Sequence, residues 1–296
     1  MSTQSTDVGR KPDPVDRDWV LGTRVAALGF ALMALGGIRR WSNDESDIFG
    51  LLWQELDRSE ATALTIESSL LVLVAIAGSF VTPLALLGCH LRRPALVSRL
   101  GVAGLWTLGI WASLWTISST IRDPWHPEWI PAARAARWLG PLACVFWLSA
   151  SPERRRLGQR LALLAIAATF IAHGVEAYLG RPSFVDLVHA LHRRIGTKGW
   201  SDSDVESLLI AIAVIDWFAA ATLLLGSVSR IAGPVRNYGL GWMAVWGFVT
   251  ALSRIVQTGE TGIPEALIRA PHATLPLALV FTFRKRNGTQ AGTVRM

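Results

Sequence analysis

Apolar residues in this chain come in runs near twenty, the length that crosses roughly 30 Å of hydrocarbon at 1.5 Å per helical residue. The runs fall at about 19–38, 63–88, 99–119, 130–149, 158–179, 205–228, 237–257 and 264–283. Inside a bilayer a chain must satisfy its own backbone polar groups, so runs of this kind fold as helices. The expected fold is an all-α membrane protein with about eight transmembrane helices. Composition agrees: 51% of the 296 residues are hydrophobic and only 17% charged, against about 25% charged in an average soluble domain.

The polar segments bound the rest. Residues 1–18 lack an apolar core and read as a disordered cytoplasmic tail rather than a signal peptide. The net charge of +7 sits in short loops, where it acts as an orientation signal and not as a nucleic-acid patch. Arg92, Arg93, Arg154, Arg155, Arg156, Arg230, Arg236, Arg284, Lys285 and Arg286 all fall on one side of the predicted topology. The positive-inside rule then puts both termini in the cytoplasm. Cys89 and Cys144 have no metal or redox spacing, and a disulfide framework is not expected. Fourteen tryptophans against two tyrosines fit interfacial anchoring together with interhelix packing.

The two halves of the chain resemble each other. RAARWLGPLACVF (134–146) aligns without a gap on RAPHATLPLALVF (269–281), IESSLLVLVAI (66–76) resembles VESLLIAIAVI (205–215), and Trp106 and Trp242 fall at matching offsets. The reading is two tandem four-helix bundles, residues 19–150 and 157–284, followed by a basic cytoplasmic tail at 285–296. With an even number of spans per copy, the copies share orientation and relate by a pseudo-two-fold axis along the membrane normal. Each half has a long loop after its first span. FVDLVHALHRRIG (184–196) puts Phe184, Leu187, Val188, Leu191 and Ile195 on one helical face, and DIFGLLWQEL (47–56) does much the same with Phe49, Leu52, Trp53 and Leu56. Short amphipathic helices are expected in both. His189 and His192 form half a zinc motif with no spaced third ligand, so no metal is expected.

Ionisable residues inside the last four apolar runs are the functional signal. Each costs roughly 2.5–3.5 kcal/mol at bilayer depth even on lenient scales, so each is expected to have a partner. Glu265, Arg269, His272 and Pro276 follow i, i+4, i+7, i+11 spacing, and Thr169, His173 and Glu176 follow i, i+4, i+7. Trp242, Trp246, Thr250 and Arg254 step by four along the seventh run, and Asp216 sits near the middle of the sixth. The topology puts these stripes in the outer leaflet, with Glu67 and Glu206 at similar depth. The candidate binding residues are therefore His173, Glu176, Asp216, Arg254, Glu265, Arg269 and His272, with Arg254 and Arg269 paired to carboxylates among Glu176, Asp216 and Glu265. In the first half Arg134 stands opposite Arg269 and Arg137 opposite His272, while nothing ionisable stands opposite Asp216. One copy reads as the site and the other as support.

FIAHG (170–174), Asp216, WGFVTALSR (246–254) and RAPHATLPLAL (269–279) together resemble the pattern of DoxX-like bacterial multi-pass membrane proteins. The resemblance covers residues 165–281 and implies a four-helix bundle in the bacterial inner membrane and a distant link to quinol oxidation. The expectation is a non-enzymatic membrane protein whose partner is the bilayer, alone or as a homo- or hetero-oligomer, binding or moving a small molecule or lipid. No cofactor is expected. The alternatives are a redox subunit, with quinone at His173 and Asp216 or haem on His173 and His272, and a structural subunit of a membrane complex. No nucleotide-binding G-x-x-x-x-G-K-[ST] loop is present to power a pump.

Overall fold

A computed structural model of the protein describes residues 14–42, 44–87, 94–149, 151–196, 200–228 and 233–283. The expectations for most of the two tails, for Cys89 and for Arg92, Arg93, Arg230, Arg284, Lys285 and Arg286 lie outside those residues.

The described chain is all helix and connection. Long helices are α1 (Pro14–Trp41), α3 (Glu60–Leu87), α4 (Pro94–Arg122), α7 (Pro152–Tyr178), α9 (Asp202–Val228) and α10 (Gly233–Thr258). Shorter ones are α2 (Asp47–Gly50), α5 (Ile130–Ala133), α6 (Ala135–Trp147), α8 (Pro182–Ile195), α11 (Ile263–Ile268) and α12 (Ala270–Phe283). Helix α1 begins at Pro14, inside the expected disordered tail, because proline at the first helical turn needs no amide donor.

Six helical stretches among the described residues are long and apolar enough to cross a membrane, not eight. The fourth and eighth expected spans are each interrupted. Helix α5 stops at Arg134 before α6 begins, and α11 stops at Arg269 before α12 begins. Arg134 leaves the helical well for φ −104°, ψ 6°, and Arg269 lies at its edge at φ −86°, ψ −4°. Both breaks close the same way, with Arg137 N–H donating to Arg134 O at 2.8 Å and His272 N–H to Arg269 O at 2.9 Å. The amide freed two residues after each break is handled differently. Pro271 has no N–H to satisfy, whereas Ala136 N–H donates to the Thr169 hydroxyl of α7 at 3.0 Å.

Four helices, α1, α6, α7 and α12, make the centre. α3 and α4 flank one side, and α9 and α10 the other. Neighbour relations repeat between halves: α1 packs on α3 and α12 as α7 packs on α9 and α6, and α4 packs on α3 and α6 as α10 packs on α9 and α12. One apolar core runs through both halves, with Phe30, Met33, Leu105, Leu108, Trp147, Ile166, Leu223, Met243 and Leu279 in it. Trp41, Trp111 and Trp115 stack edge-on and face-on within 6.0 Å of one another. These tryptophans serve packing, not an interface belt.

Helices α2, α5, α8 and α11 each follow the end of a long helix running the same way, so they cap one end of the bundle. At the opposite end Arg24 donates to the last carbonyls of α3, Ala85 O at 3.1 Å and Leu86 O at 2.7 Å, satisfying orphan acceptors there. Arg155 stacks on Trp19 and Arg236 on Phe283.

Helix α8 lies over the bundle on α9 and α10, its Phe184, Leu187, Val188 and Leu191 turned inward as expected; the Ile195 side chain lies outside the described residues. The first-half loop departs from expectation. Phe49 is buried, but residues Leu51–Glu55 form a π-helical turn, and Trp53 and Leu56 are exposed. Hydrogen bonds from i to i+5 widen the turn, so i+3 and i+4 neighbours drift off the buried face.

Candidate functional site

The polar residues singled out in the sequence gather at the capped end, around two adjoining cavities. The larger, about 600 Å³, lies among α7, α8, α9, α10 and α12. Its walls are apolar, and its ionisable lining is His173, Asp216, Arg254, Arg269 and His272, with His192 under α8. The smaller, about 200 Å³, is polar and lies near the bundle centre, lined by Arg40, Asp47, Arg134, Arg137, Glu176, Arg181 and Glu265 among others. His173, Phe184 and Arg269 line both. Five of the seven candidate residues thus border the apolar cavity; Glu176 and Glu265 border the polar chamber.

The stripe on α7 is satisfied locally and by the segment after it. His173 Nδ1 lies 3.0 Å from Glu176 Oε2, and the other oxygen of Glu176 accepts from Arg181 Nη1. Arg181 also donates through Nη2 to Asp123 Oδ2 at 2.6 Å and stacks over Trp125. Only 2% of the Glu176 side chain is exposed, so this arginine is what allows a carboxylate at that depth.

On the α12 side, His272 Nε2 accepts from Arg137 Nε at 3.2 Å, the role of a neutral imidazole. The His173 and His272 rings sit 5.5 Å apart at 56°. With one ring bound to Glu176 and the other to Arg137, the two are packed against each other and leave no gap for a haem plane. The residues present do not fit bis-histidine haem ligation.

The expected pairing of the arginines holds for one of them. Arg269 Nε lies 3.8 Å from Glu265 Oε2, while Glu265 is held more closely by Arg40 at the end of α1. Among the described residues Arg254 has no ion pair to a carboxylate: its Nη1 donates to Gln257 Oε1 at 3.1 Å, one turn further along the same helix. Asp216, on the same cavity wall, makes no ion pair with it and sits with 2% exposure, its Oδ1 without a hydrogen bond. The Nε atoms of Arg254 and Arg269 are likewise buried with no hydrogen bond, Arg269 Nε having only the 3.8 Å ion pair to Glu265. Three orphaned polar atoms on one cavity are unusual, since buried polar groups are nearly always bonded.

Glycine brings α10 close to this spot. A Cβ on Gly247 would collide with the carbonyl of His272, so only glycine lets the two backbones meet there.

Two carboxylates assigned to the same depth stand apart from the site. Glu67 is buried elsewhere, accepting from Ser46 N–H at 3.0 Å, and Glu206 is exposed. His189 faces Asp202 at 3.2 Å and His192 stacks on Trp200, so the H-x-x-H pair does not converge. Among the described residues no three His, Cys, Asp or Glu side chains are grouped to hold a metal. Cys144 is buried with a free thiol.

Several site residues were missed. Asp47 at the start of α2 accepts from Trp115 Nε1 at 3.0 Å and from the Ser119 hydroxyl, beside Arg134 and Arg122. Arg134 and Arg137 stack on Trp115 at 4.4 and 5.4 Å. The first half therefore supplies much of the polar chamber. Its arginines stand at the positions matched to Arg269 and His272, which was the available signal. For Arg40, Asp47 and Arg181, which sit in loops or at helix ends, no periodic signal exists.

Compared with known proteins, the chain matches no family model, no curated sequence and no solved structure.

Proposed function

We propose that this is a non-enzymatic membrane protein that binds, and in doing so can move, an amphiphilic small molecule or lipid in the cavity among α7, α8, α9, α10 and α12. The observation that carries this is the cavity itself. Some 600 Å³ of apolar space ends at buried arginine, histidine and aspartate side chains, three of whose polar atoms have no partner. Pockets of this size with apolar walls and a few convergent polar groups are what small-molecule sites look like.

The same reading extends to architecture. The interrupted helices α5–α6 and α11–α12 act as the fourth and eighth crossings, and the two halves are copies related by an axis along the membrane normal. Support comes from the repeated neighbour relations, the matching breaks at Arg134 and Arg269, and one contact. Arg137 and His272 occupy matched positions and touch each other, as residues beside a two-fold axis must. Both termini then face the cytoplasm of a bacterial inner membrane, the capped end faces outward, and the second half belongs with DoxX-like proteins.

Native mass spectrometry on protein gently extracted from its own membrane tests the function. A lipid or other amphiphile retained by the natural protein and lost in Thr250→Trp, which fills the cavity, is the expected result. A bound quinone would turn the reading to redox chemistry, and a stable larger assembly with an empty cavity to a structural subunit.

A further inference from the structure

We infer that the occupant of this cavity is a lipid with a terminal phosphate, reaching it sideways from the bilayer between α9 and α10 and seating its head on Arg254 and Arg269. This rests on the amphiphile reading above and names the ligand class.

Around the two cavities six arginines meet five carboxylates, and the pairing is uneven. Arg40 has Glu265, Arg181 has Glu176 and Asp123, and Arg122 and Arg134 share Asp47. Among the described residues Arg137 and Arg254 have no ion pair to a carboxylate, and Arg269 shares Glu265 with Arg40. Arg137 gives its Nε to His272, Arg254 reaches only Gln257, and Arg269 stands 3.8 Å from a glutamate already taken by Arg40. Asp216 is the one acid on the apolar cavity's wall. Buried guanidinium groups need an anion nearby, and their planar forks match phosphate oxygens two at a time. A single carboxylate offers two oxygens and one charge. A terminal phosphate offers three free oxygens and up to two charges, closer to what these arginines lack.

The walls say that the anion carries a tail. Ile215 and Trp242 line the cavity, yet are 43% and 42% exposed, and Val249 is 44% exposed. The cavity therefore opens through the side of the bundle. Around that opening α9 and α10 show Val214, Phe218, Val245 and Phe248 to the outside, the apolar surface expected to face lipid. Trp242 and Trp246 stack in parallel at its edge, 6.1 Å apart. A soluble phosphate would have no use for such a route, whereas an acyl or prenyl chain lies along it and remains partly in the bilayer.

The test uses the full chain in phosphatidylcholine nanodiscs, with phosphatidic acid, oleic acid or inorganic phosphate added and retention read by native mass spectrometry. Phosphatidic acid should be retained about tenfold better than phosphatidylcholine or oleic acid, and Arg254→Gln and Arg269→Gln should each remove most of that preference. Thr250→Trp should abolish lipid retention altogether. Equal retention of phosphatidic acid and phosphatidylcholine, still lost in Thr250→Trp, overturns the phosphate head and leaves the amphiphile reading standing. No lipid retained above the Thr250→Trp background overturns both. Preference for oleic acid, or competition by inorganic phosphate as strong as that by the lipid, also overturns the inference. Should the glutamine variants fail to fold, the headgroup ranking of the natural protein decides alone.

Discussion

Glu176 joins three elements through one carboxylate: His173 on its own helix, Arg181 at the start of α8, and through Arg181 the Asp123 loop after α4. Removing one member of a buried ion pair strands the other, at a typical cost of about 3–5 kcal/mol. Glu176→Gln should therefore lower the Tm in detergent sharply, and Arg181→Gln nearly as much, with the double variant far from additive. Equal and additive losses would mean that the two do not act as a unit. Arg40 and Glu265 allow a cleaner test because they sit on different halves. Arg40→Glu should depress expression, and adding Glu265→Arg should recover most of it, read as the yield of monodisperse protein. The stripes on α7 and α12 were readable in the sequence because helical spacing places residues on a face. Their partners were not, since Arg40, Asp47 and Arg181 lie where no period applies. Arg254 was assigned a carboxylate, whereas its side chain turns to Gln257 on its own helix.

At the scale of elements, the paired helix breaks are the least visible feature in the sequence. The runs 130–149 and 264–283 read as continuous helices despite the charged residues in their first turns, although Pro271 removes one amide donor. No proline marks the first break. There the free amide of Ala136 depends on Thr169, so Thr169→Val, which keeps the shape, should cost about 1–3 kcal/mol by orphaning that N–H. Denaturant titration of natural and variant protein measures it, and an unchanged midpoint would show that the amide has found another acceptor. Gly247 holds α10 against α12 at His272. Gly247→Val should push the two apart, destabilise the protein by about 1–3 kcal/mol and weaken ligand retention; a thermal melt with and without added lipid separates the two effects. The amphipathic face of α8 was legible from its spacing, but that it roofs a cavity was not, because a face does not say what lies beneath it.

For the whole molecule, the proposed topology places both ends of the chain on one side of the membrane. Reporter fusions at the two termini should give the same compartment signal, and a fusion in the α8 segment the opposite one; opposite signals at the termini would remove the even span count. The helical content and the membrane-crossing helices followed from run length alone, because hydrocarbon leaves a chain few choices. How the halves meet did not. The sequence suggests two separate bundles, whereas one core passes through both and the polar chamber draws on each. Packing across a shared centre leaves no mark in local periodicity.

The contact between Arg137 and His272 bears on how such a molecule can have arisen. Beside a two-fold axis a side chain meets its own counterpart, so in two identical copies an arginine there would face an arginine. Two guanidinium groups offer only donors and the same charge. Arginine against histidine gives a donor and an acceptor. Under the proposed duplication, this is a position at which fused copies gain by ceasing to be alike, and a mixed pair of this kind is available to a single chain but not to a symmetric dimer of the half.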